Sequence, residues 1–431
     1  MTKSINFAEA RHLVARSGLG VEWIQIKNLE GRSRQQAIDI LLRPKSSLPP
    51  APSKMTPWNV RTNMYESKNP KHKMEMHKMA EIEGARLKRW WIAHMLKTQS
   101  PIVEKMTLFW HGHFTSSLDK VEQPSLLYSQ NKMFRRHSLG NFATLLKAVA
   151  KDPAMSVYLD GQLNEKRSPN ENFARELLEL FTLGHGHFTE SDVQDVARAF
   201  TGSSVNRFKG TYAFNKAEHD RTPKSVLGKR VNNADDVIRV LLEHPRTAMT
   251  IAEKFWSLFV SDAEPDQRVT MLWARKFRNS HYDIKVLLRE VLNSDVFWSD
   301  EYKGTVTKSP VDLVIGSLRT IPSQLFTHKD VEGILRLLGQ DLFDPANVKG
   351  WKSGLAWIDA ETIMVRSSMV NKLTGANLNE KVNTGGQYPD APPEQYRQWL
   401  LPLKPISPPP TKPGKVRLVR TLALDPLYQL M

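Results

Sequence analysis

The stretch that decides the fold reads Ser168-Pro169-Asn170-Glu171-Asn172-Phe173-Ala174-Arg175-Glu176-Leu177-Leu178-Glu179-Leu180-Phe181-Thr182-Leu183-Gly184. Ser168 and Glu171 have the spacing of a capping box, in which each side chain accepts a hydrogen bond from the other residue's backbone amide. Pro169 falls at the first helical position, where its missing N–H costs nothing. Gly184 can adopt the left-handed conformation that ends a helix. The stretch therefore predicts one helix from Ser168 to Gly184.

The predicted helix carries two different stripes. Its apolar stripe consists of Phe173, Leu177, Leu180 and Phe181, and its polar stripe consists of Asn172, Glu176 and Glu179. Carboxylates that point inward from helices build the metal sites of carboxylate-containing bundles. The alternative is a surface ladder of ion pairs through Arg175, in which each pair contributes only about 0.2–0.5 kcal/mol. Because Glu176 lies at the boundary of the apolar stripe, we expect it to be at least half buried.

The same Ser-Pro start occurs at Ser100-Pro101 and Ser309-Pro310, and apolar residues recur at helical spacing along most of the chain. Residues 203–220 break this pattern, with aromatic and β-branched residues around Lys209-Gly210. We therefore expect a mainly α, multi-helical globular domain with one small β-hairpin.

Changes in composition suggest four segments. Residues 1–44 form N-terminal helices, and residues 45–73, rich in Pro and Lys, form a linker or wrapping loop. Residues 74–373 form the main helical domain, in one unit with residues 1–44. Residues 374–431 form a Pro-rich extended tail.

Composition restricts the class of protein. The chain has 431 residues, no Cys and a formal net charge of +16. No apolar run approaches the ~18 residues of a membrane span. The positive charge predicts either an anionic partner, such as an acidic protein or an anionic polymer, or a surface charged for solubility. No nucleic-acid motif accompanies the charge, so a nucleic-acid partner is neither favoured nor excluded. The start of the chain lacks the apolar block of a secretory signal, which predicts a cytoplasmic protein or one carried outward by another.

His111-Gly112-His113 is the first of two histidine clusters. Two imidazoles two residues apart cannot share one helical face, but they can meet if Gly112 allows the chain to turn. Such pairs occur in zinc, iron and copper sites, and they also occur as structural histidines.

His219-Asp220, with Lys224 nearby, is the second cluster, and it lies in a predicted loop. A loop histidine beside a carboxylate can act as an oriented base or as a metal ligand. His185 and His187 are expected to be solvated. The sequence has no phosphate-binding loop, no nucleophile elbow and no His-Glu-x-x-His motif, which disfavours nucleotide binding and the commonest hydrolase mechanisms.

Five stretches, in order along the chain, resemble motifs of the bacterial domain-of-unknown-function 1800 family. They are residues 12–20, residues 109–114, residues 151–155 with 158–160, residues 170–184 and residues 347–351 with 356–357, with His219-Asp220 and Lys308-Ser309-Pro310 also fitting. The resemblance covers most of the chain from about Phe7 to Leu373. It implies a bacterial protein of a family without an established activity, whose members are often exported. It also implies a partner protein encoded nearby, from an uncharacterised sulfatase-like family.

From these motifs we expect a metal-dependent enzyme, redox or hydrolytic, with a divalent or redox metal ion as cofactor. His111, His113 and Glu176 are the expected metal ligands, and Glu176, His219 and Asp220 are the expected catalytic residues. The side chains expected to orient this group are Asn172, Arg175 and Glu179.

The competing hypothesis is a non-catalytic basic protein that binds or scaffolds an acidic partner, a polymer or the neighbouring gene product. In that case the polar clusters hold helices together. The chain then either remains in the cytoplasm or is exported folded with a signal-bearing partner.

Overall fold

The computed structural model describes residues 4–44, 48–53, 55–57, 69–206, 208–321, 323–375, 388–408 and 414–431. Within these residues the fold is mainly α-helical with small β-hairpins, which confirms the predicted fold class. Part of the predicted linker at 45–73 lies outside the described residues, and the helix that follows it begins already at Pro70. None of the described helices is long and apolar enough to cross a membrane.

The helices follow one another through the whole described chain. They are α1 (Phe7–Ser17), α2 (Trp23–Leu29), α3 (Arg34–Leu41), α4 (Pro70–Lys97), α5 (Pro101–His113), α6 (Leu118–Val121), α7 (Pro124–His137), α8 (Phe142–Val149), α9 (Pro153–Tyr158), α10 (Glu171–Leu178), α11 (Glu190–Ala199), α12 (Ala234–Glu243), α13 (Pro245–Phe259), α14 (Gln267–Asn279), α15 (Ile284–Asn293), α16 (Asp295–Trp298), α17 (Pro310–Thr320), α18 (His328–Leu337), α19 (Ala360–Leu373), α20 (Pro393–Leu400) and α21 (Lys415–Ala423). Short 3-10 turns occur at Gly161–Leu163, Asp300–Tyr302, Gly354–Trp357 and Pro426–Gln429.

The central helix differs from its prediction at both ends. Asn170, not Ser168, caps α10, because the Asn170 side chain accepts a hydrogen bond from the amide of Asn172. At its other end α10 continues into one turn of π-helix, Glu179–Leu183, which Gly184 ends with φ of 83°. Because the π-turn is the last turn of this helix, its carbonyls have no intrahelical donors and need other partners.

The described chain contains two β-hairpins where the sequence predicted one. Strands β1 (Ser203–Val205) and β2 (Tyr212–Phe214) form the predicted hairpin, and β3 (Lys224–Val226) and β4 (Lys229–Val231) form a second. The second hairpin turns through Leu227-Gly228, both with positive φ, as a two-residue hairpin loop requires. Strands of three residues are too short to show a clear alternating pattern in the sequence.

The predicted extended tail is wrong for the residues described, because α20 and α21 form within it. The indole of Trp399 on α20 donates a hydrogen bond to the carbonyl of Val21 at 2.6 Å. The guanidinium of Arg11 on α1 donates to the carbonyl of Leu400 at 3.3 Å. The tail therefore packs on the N-terminal helices through side chains that are separated from them by most of the sequence.

Buried arginines bind the carboxyl ends of several helices. Arg16 donates to the carbonyl of Val260 at 2.9 Å, just past the end of α13. Arg319 donates to the carbonyl of Met95 at 2.8 Å, near the end of α4. The last carbonyls of a helix are unpaired and carry partial negative charge, so a guanidinium satisfies both needs. Part of the chain's positive charge therefore lies inside the protein.

Candidate functional site

His111 and His113 both lie in α5, which runs without a turn to His113. Gly112 therefore does not form the turn that would let the two imidazoles meet. Two residues along an α-helix correspond to a rotation of about 200°, so the two imidazoles point to different sides of α5. Both are buried, at 0% and 5% exposure. They do not face a common point.

His113 is held from both of its ring nitrogens. Nε2 lies 3.2 Å from the carbonyl of Phe181, and Nδ1 lies 2.8 Å from Nζ of Lys254. Because a carbonyl only accepts, Nε2 carries the proton and donates, and Nδ1 accepts from the Lys254 amine. Burial and the neighbouring Lys254 hold the pKa of His113 well below its usual value, and burial lowers the pKa of Lys254 to about 8. His113 is therefore a neutral imidazole that links α13 to the π-turn.

The π-turn receives further donors from α13. Nζ of Lys254 donates to the carbonyl of Leu180 at 3.2 Å, and Nε of Arg246 donates to the carbonyl of Leu183 at 3.0 Å. Arg246 is itself held by Glu253 through two hydrogen bonds of 2.9 and 2.6 Å. The carbonyls of the π-turn are thus paired with side chains of α13 and, through His113, of α5. This cluster fixes the end of the central motif.

His111 has the opposite environment. Neither of its ring nitrogens has a hydrogen-bond partner among the described residues, and burial alone lowers its pKa to about 3. Four aromatic rings surround the imidazole, with centroids 5.3 to 6.0 Å away: Trp91, Phe134, Phe343 and Trp351. His111 is a neutral, unpartnered imidazole in an aromatic cage.

Glu176 is half buried, as the stripe predicted. Burial, and after it the neighbouring carboxylate of Glu179, raises the pKa of Glu176, while Arg175 and Lys349 oppose the shift. Its carboxylate forms no hydrogen bond and no ion pair with a described residue, so Glu176, like His111, is an expected site residue that the fold leaves without a direct partner.

The side chains expected to orient the site have ordinary surface contacts; they are Asn172, Arg175 and Glu179. Arg175 donates to Glu190 with two hydrogen bonds of 2.9 and 2.7 Å. The amide of Asn172 lies 3.4 Å from the carboxylate of Asp160. Glu179 lies 3.9 Å from the exposed His185. Arg175 therefore forms surface ion pairs, as the alternative interpretation predicted. Its main partner, however, is Glu190 and not a residue of its own helix.

His219 and Asp220 anchor the loop that joins the two hairpins. The ring nitrogens of His219 lie 2.9 Å from the carbonyl of Thr201 and 3.2 Å from the carbonyl of Asn232. Although burial alone would raise it, hydrogen bonds from Thr222 and Arg198 hold the pKa of the Asp220 carboxyl below its usual range. Each of the two side chains is therefore engaged by neighbouring segments of the chain.

Lys224 and His187 complete the predicted residues. The Lys224 amine donates to the carbonyls of Asp220 and Thr222, at 2.6 and 2.9 Å. His185 and His187 are both exposed, as predicted. In the described part of the chain, no group of three or more His, Asp or Glu side chains is placed to hold a metal ion. Metal binding by His111, His113 and Glu176 therefore stays a prediction. Among the described residues, these three side chains do not form a group around one point.

A groove of about 520 Å³ lies between α4 and α18. On its walls Lys88 pairs with Asp341 at 2.7 Å, and Arg89 pairs with Glu332 at 2.6 Å. Both signs of charge line the groove, so it is not the basic surface that the net charge predicted.

Sequence reasoning missed Lys254, which completes the His113 cluster. The signal was nevertheless present, because Lys254 lies on the apolar stripe of α13 with Ile251 and Leu258, three residues before it and four after it. A lysine on such a stripe predicts a buried amine that needs acceptors.

A match to one protein-family model spans the helices and motifs described above. Residues 12–429 match the model of a family described as a protein of unknown function, DUF1800. Comparison with curated proteins and with solved structures gave no match. Since the match covers nearly the whole chain, the protein belongs to the DUF1800 family.

Proposed function

We propose that the protein is a non-catalytic binding protein whose exposed, basic face of α14 docks an acidic segment of a partner protein. The observation that carries the proposal is the composition of this helix, which has four basic side chains and no acidic one. They are Arg268, Arg275, Lys276 and Arg278.

The basic residues surround two exposed apolar side chains. Met271 is 62% exposed and Leu272 is 52% exposed, and helical spacing puts them on one face with Arg268, Arg275 and Lys276. We call these five residues the α14 face. The opposite side of α14 is buried against α13 and α15 through Trp273, Ala274 and Phe277, so the helix is firmly seated.

The charges on the α14 face are largely uncompensated. Arg268 and Arg275 have no ion-pair partner among the described residues, while Lys276 lies 4.0 Å from Glu290. A surface of unpaired guanidinium groups around a small apolar centre complements carboxylates around apolar side chains. A uniformly charged polymer or a nucleic-acid backbone would leave Met271 and Leu272 without contacts, so an acidic polypeptide suits the face best. The partner encoded nearby is a candidate of this class.

The test compares two acidic polypeptides of equal length, a copolymer of glutamate and tyrosine and polyglutamate. We expect tighter binding of the copolymer, measured by fluorescence anisotropy, and a steep loss of affinity as salt rises. The double variant Arg268→Glu/Arg275→Glu should weaken binding by at least about tenfold, since it replaces attraction with repulsion. Met271→Asp should remove the preference for the copolymer.

The matched control is Arg136→Glu/Lys147→Glu, which makes the same change of charge at two exposed positions on α7 and α8. The proposal is overturned if this control weakens binding as much as the α14 variant does. It is also overturned if polyglutamate, double-stranded DNA and anionic vesicles bind as tightly as the copolymer.

The second candidate is the metal-dependent enzyme, and Glu176 is the observation in its favour. A half-buried carboxylate with a raised pKa and no partner is a common property of functional acids. Metal content of protein purified without a histidine tag tests this candidate, with Glu176→Ala as the comparison. Stoichiometric metal that Glu176→Ala removes would support a metal site with a redox or hydrolytic role, and equally low metal in both proteins would reject it.

A further inference from the structure

The imidazole of His111 is a buried polar group that the fold leaves unsatisfied. Its exposure is 0%, and both nitrogens lack a partner among the described residues. Such a group costs about 1–3 kcal/mol relative to a satisfied one, and a native structure rarely contains one without a reason. Among the described residues, buried His113 has both nitrogens satisfied and buried His12 has a partner at Nε2 but none at Nδ1, whereas His111 lacks a partner at both nitrogens.

Three of the four rings around His111 belong to the rigid interior. Trp91 on α4 and Phe134 on α7 are 0% exposed, and Phe343 is 0% exposed as well. Trp91 is fixed further by a hydrogen bond of 2.8 Å from its indole to Glu104. These rings form walls that remain when the fourth ring moves.

The fourth ring, Trp351, is partly exposed and lies on a loop. We call residues 345–353 the cover loop. Its backbone hydrogen bond from Gly350 to Asn347 is internal, at 3.0 Å, and the indole of Trp351 donates to the carbonyl of Asp341 at 3.2 Å. Among the described residues, the cover loop has no hydrogen bond to α5, to which it is attached by packing alone.

Glycines on both sides of the contact let the cover loop lie directly on α5. A Cβ at Gly350 would be 2.4 Å from the carbonyl oxygen of Gly112, and a Cβ at Gly112 would be 3.4 Å from the ring of Trp351. Gly350 and Gly354, on either side of Trp351, have φ of 90° and 57°, conformations that favour glycine. A segment with few outward hydrogen bonds and with glycines on both sides of its aromatic residue opens at low free-energy cost.

We propose that His111 is the floor of a closed ligand site and that Trp351 is its cover. The ligand is a planar aromatic molecule of about the size of an indole that carries an N–H or O–H donor. The size follows from the ring that it replaces, and the planarity follows from the aromatic walls. The donor follows from His111, since a neutral imidazole offers one acceptor nitrogen. This inference is independent of the binding proposed for α14.

The experiment labels histidines of the native full-length protein with diethyl pyrocarbonate and maps them by mass spectrometry. This reagent acylates a neutral imidazole nitrogen that it can reach. His12 and His113 are matched controls, because both are buried like His111, while His12 is held at Nε2 and His113 is held at both nitrogens. We expect His111 to react at least about tenfold faster than both, because local opening of the cover loop costs less than global unfolding.

The probe for the ligand class is indole, with indene as its hydrocarbon counterpart without a donor. We expect indole to slow the labelling of His111 in the native protein and indene to slow it less. Trp351→Gly should accelerate labelling of His111 and not of His12, while Trp351→Phe keeps a ring in place and guards against a variant that does not fold. Labelling of His111 at the rate of His12 and His113, or labelling that indole does not slow, would overturn the proposal.

Discussion

His113 and His111 belong to the same turn of α5, yet they lie in regions of opposite character. Both ring nitrogens of His113 have partners, the amine of Lys254 and the carbonyl of Phe181. His111 lies among four aromatic rings, and neither of its nitrogens has a partner among the described residues. The region around His113 stabilises the π-turn of the central motif. In the region around His111, the ring nitrogens lose their hydration on burial without gaining hydrogen bonds, which costs free energy. The comparison teaches that a histidine which completes a polar cluster supports the fold, whereas one without partners calls for another explanation.

Replacing His113 by Phe has the largest expected effect. The change keeps a ring of similar size but leaves the Lys254 ammonium and the carbonyl of Phe181 buried without their partner. Lys254 keeps its hydrogen bond to the carbonyl of Leu180, so the loss is that of one partner of a buried charged group, about 1.5–3 kcal/mol in the free energy of unfolding, measured by urea denaturation. The double variant His113→Phe/Lys254→Met should recover part of the loss, because the orphaned charge is gone. A loss below about 1 kcal/mol would mean that the cluster does not hold the π-turn.

The same substitution at His111 is expected to have the opposite sign. His111→Phe removes two unsatisfied nitrogens from an aromatic cage, so at pH 7 we expect a gain of about 1 kcal/mol in the free energy of unfolding. The advantage should grow with acid. Burial lowers the folded-state pKa of His111 to about 3, so between pH 6.5 and 3 the unfolded state takes up a proton that the folded state refuses.

The acid dependence can be measured between pH 7 and pH 4.5. Each pH unit below 6.5 should cost the parent protein about 1.4 kcal/mol that the His111→Phe variant does not lose. Equal acid sensitivity of the two proteins would show that His111 already has a partner in solution. A variant less stable than the parent at pH 7 would lead to the same conclusion.

The contrast between the two histidines also marks what the sequence can predict. Local signals were sufficient for the mainly helical fold and for the Ser-Pro helix starts at Pro101 and Pro310, because helix starts and apolar stripes act within a few residues. The half-burial of Glu176 followed from the same stripe argument. The π-turn did not follow, because its carbonyls are satisfied by Lys254 and Arg246, which are more than sixty residues away.

The candidate site was harder to predict than the fold for a related reason. Gly112 permits a turn that would let the two imidazoles meet, yet the helix continues through it. The ring of Trp351 that lies against Gly112 is brought to α5 only by the tertiary fold. A spacing rule identifies chemically capable residues, but it cannot say whether their neighbours will be carbonyls, carboxylates or aromatic rings.

Gly112 itself gives the prediction with the smallest effect. Since glycine inside a helix costs about 0.5–1 kcal/mol relative to alanine, Gly112→Ala should stabilise α5, provided that the new methyl group fits. That methyl would lie 3.4 and 3.6 Å from two ring atoms of Trp351, which is ordinary contact. We therefore expect a gain of about 0.5 kcal/mol in the free energy of unfolding, measured by thermal or urea denaturation.

Gly350→Ala is the control on the other side of the contact. Its Cβ would be 2.4 Å from the Gly112 carbonyl and its φ is 90°, so this substitution should lower the free energy of unfolding. If both substitutions lower the free energy of unfolding equally, the cover loop packs too tightly against α5 to open. If only Gly350→Ala does, the contact depends on the loop backbone and Trp351 retains the freedom that a cover needs.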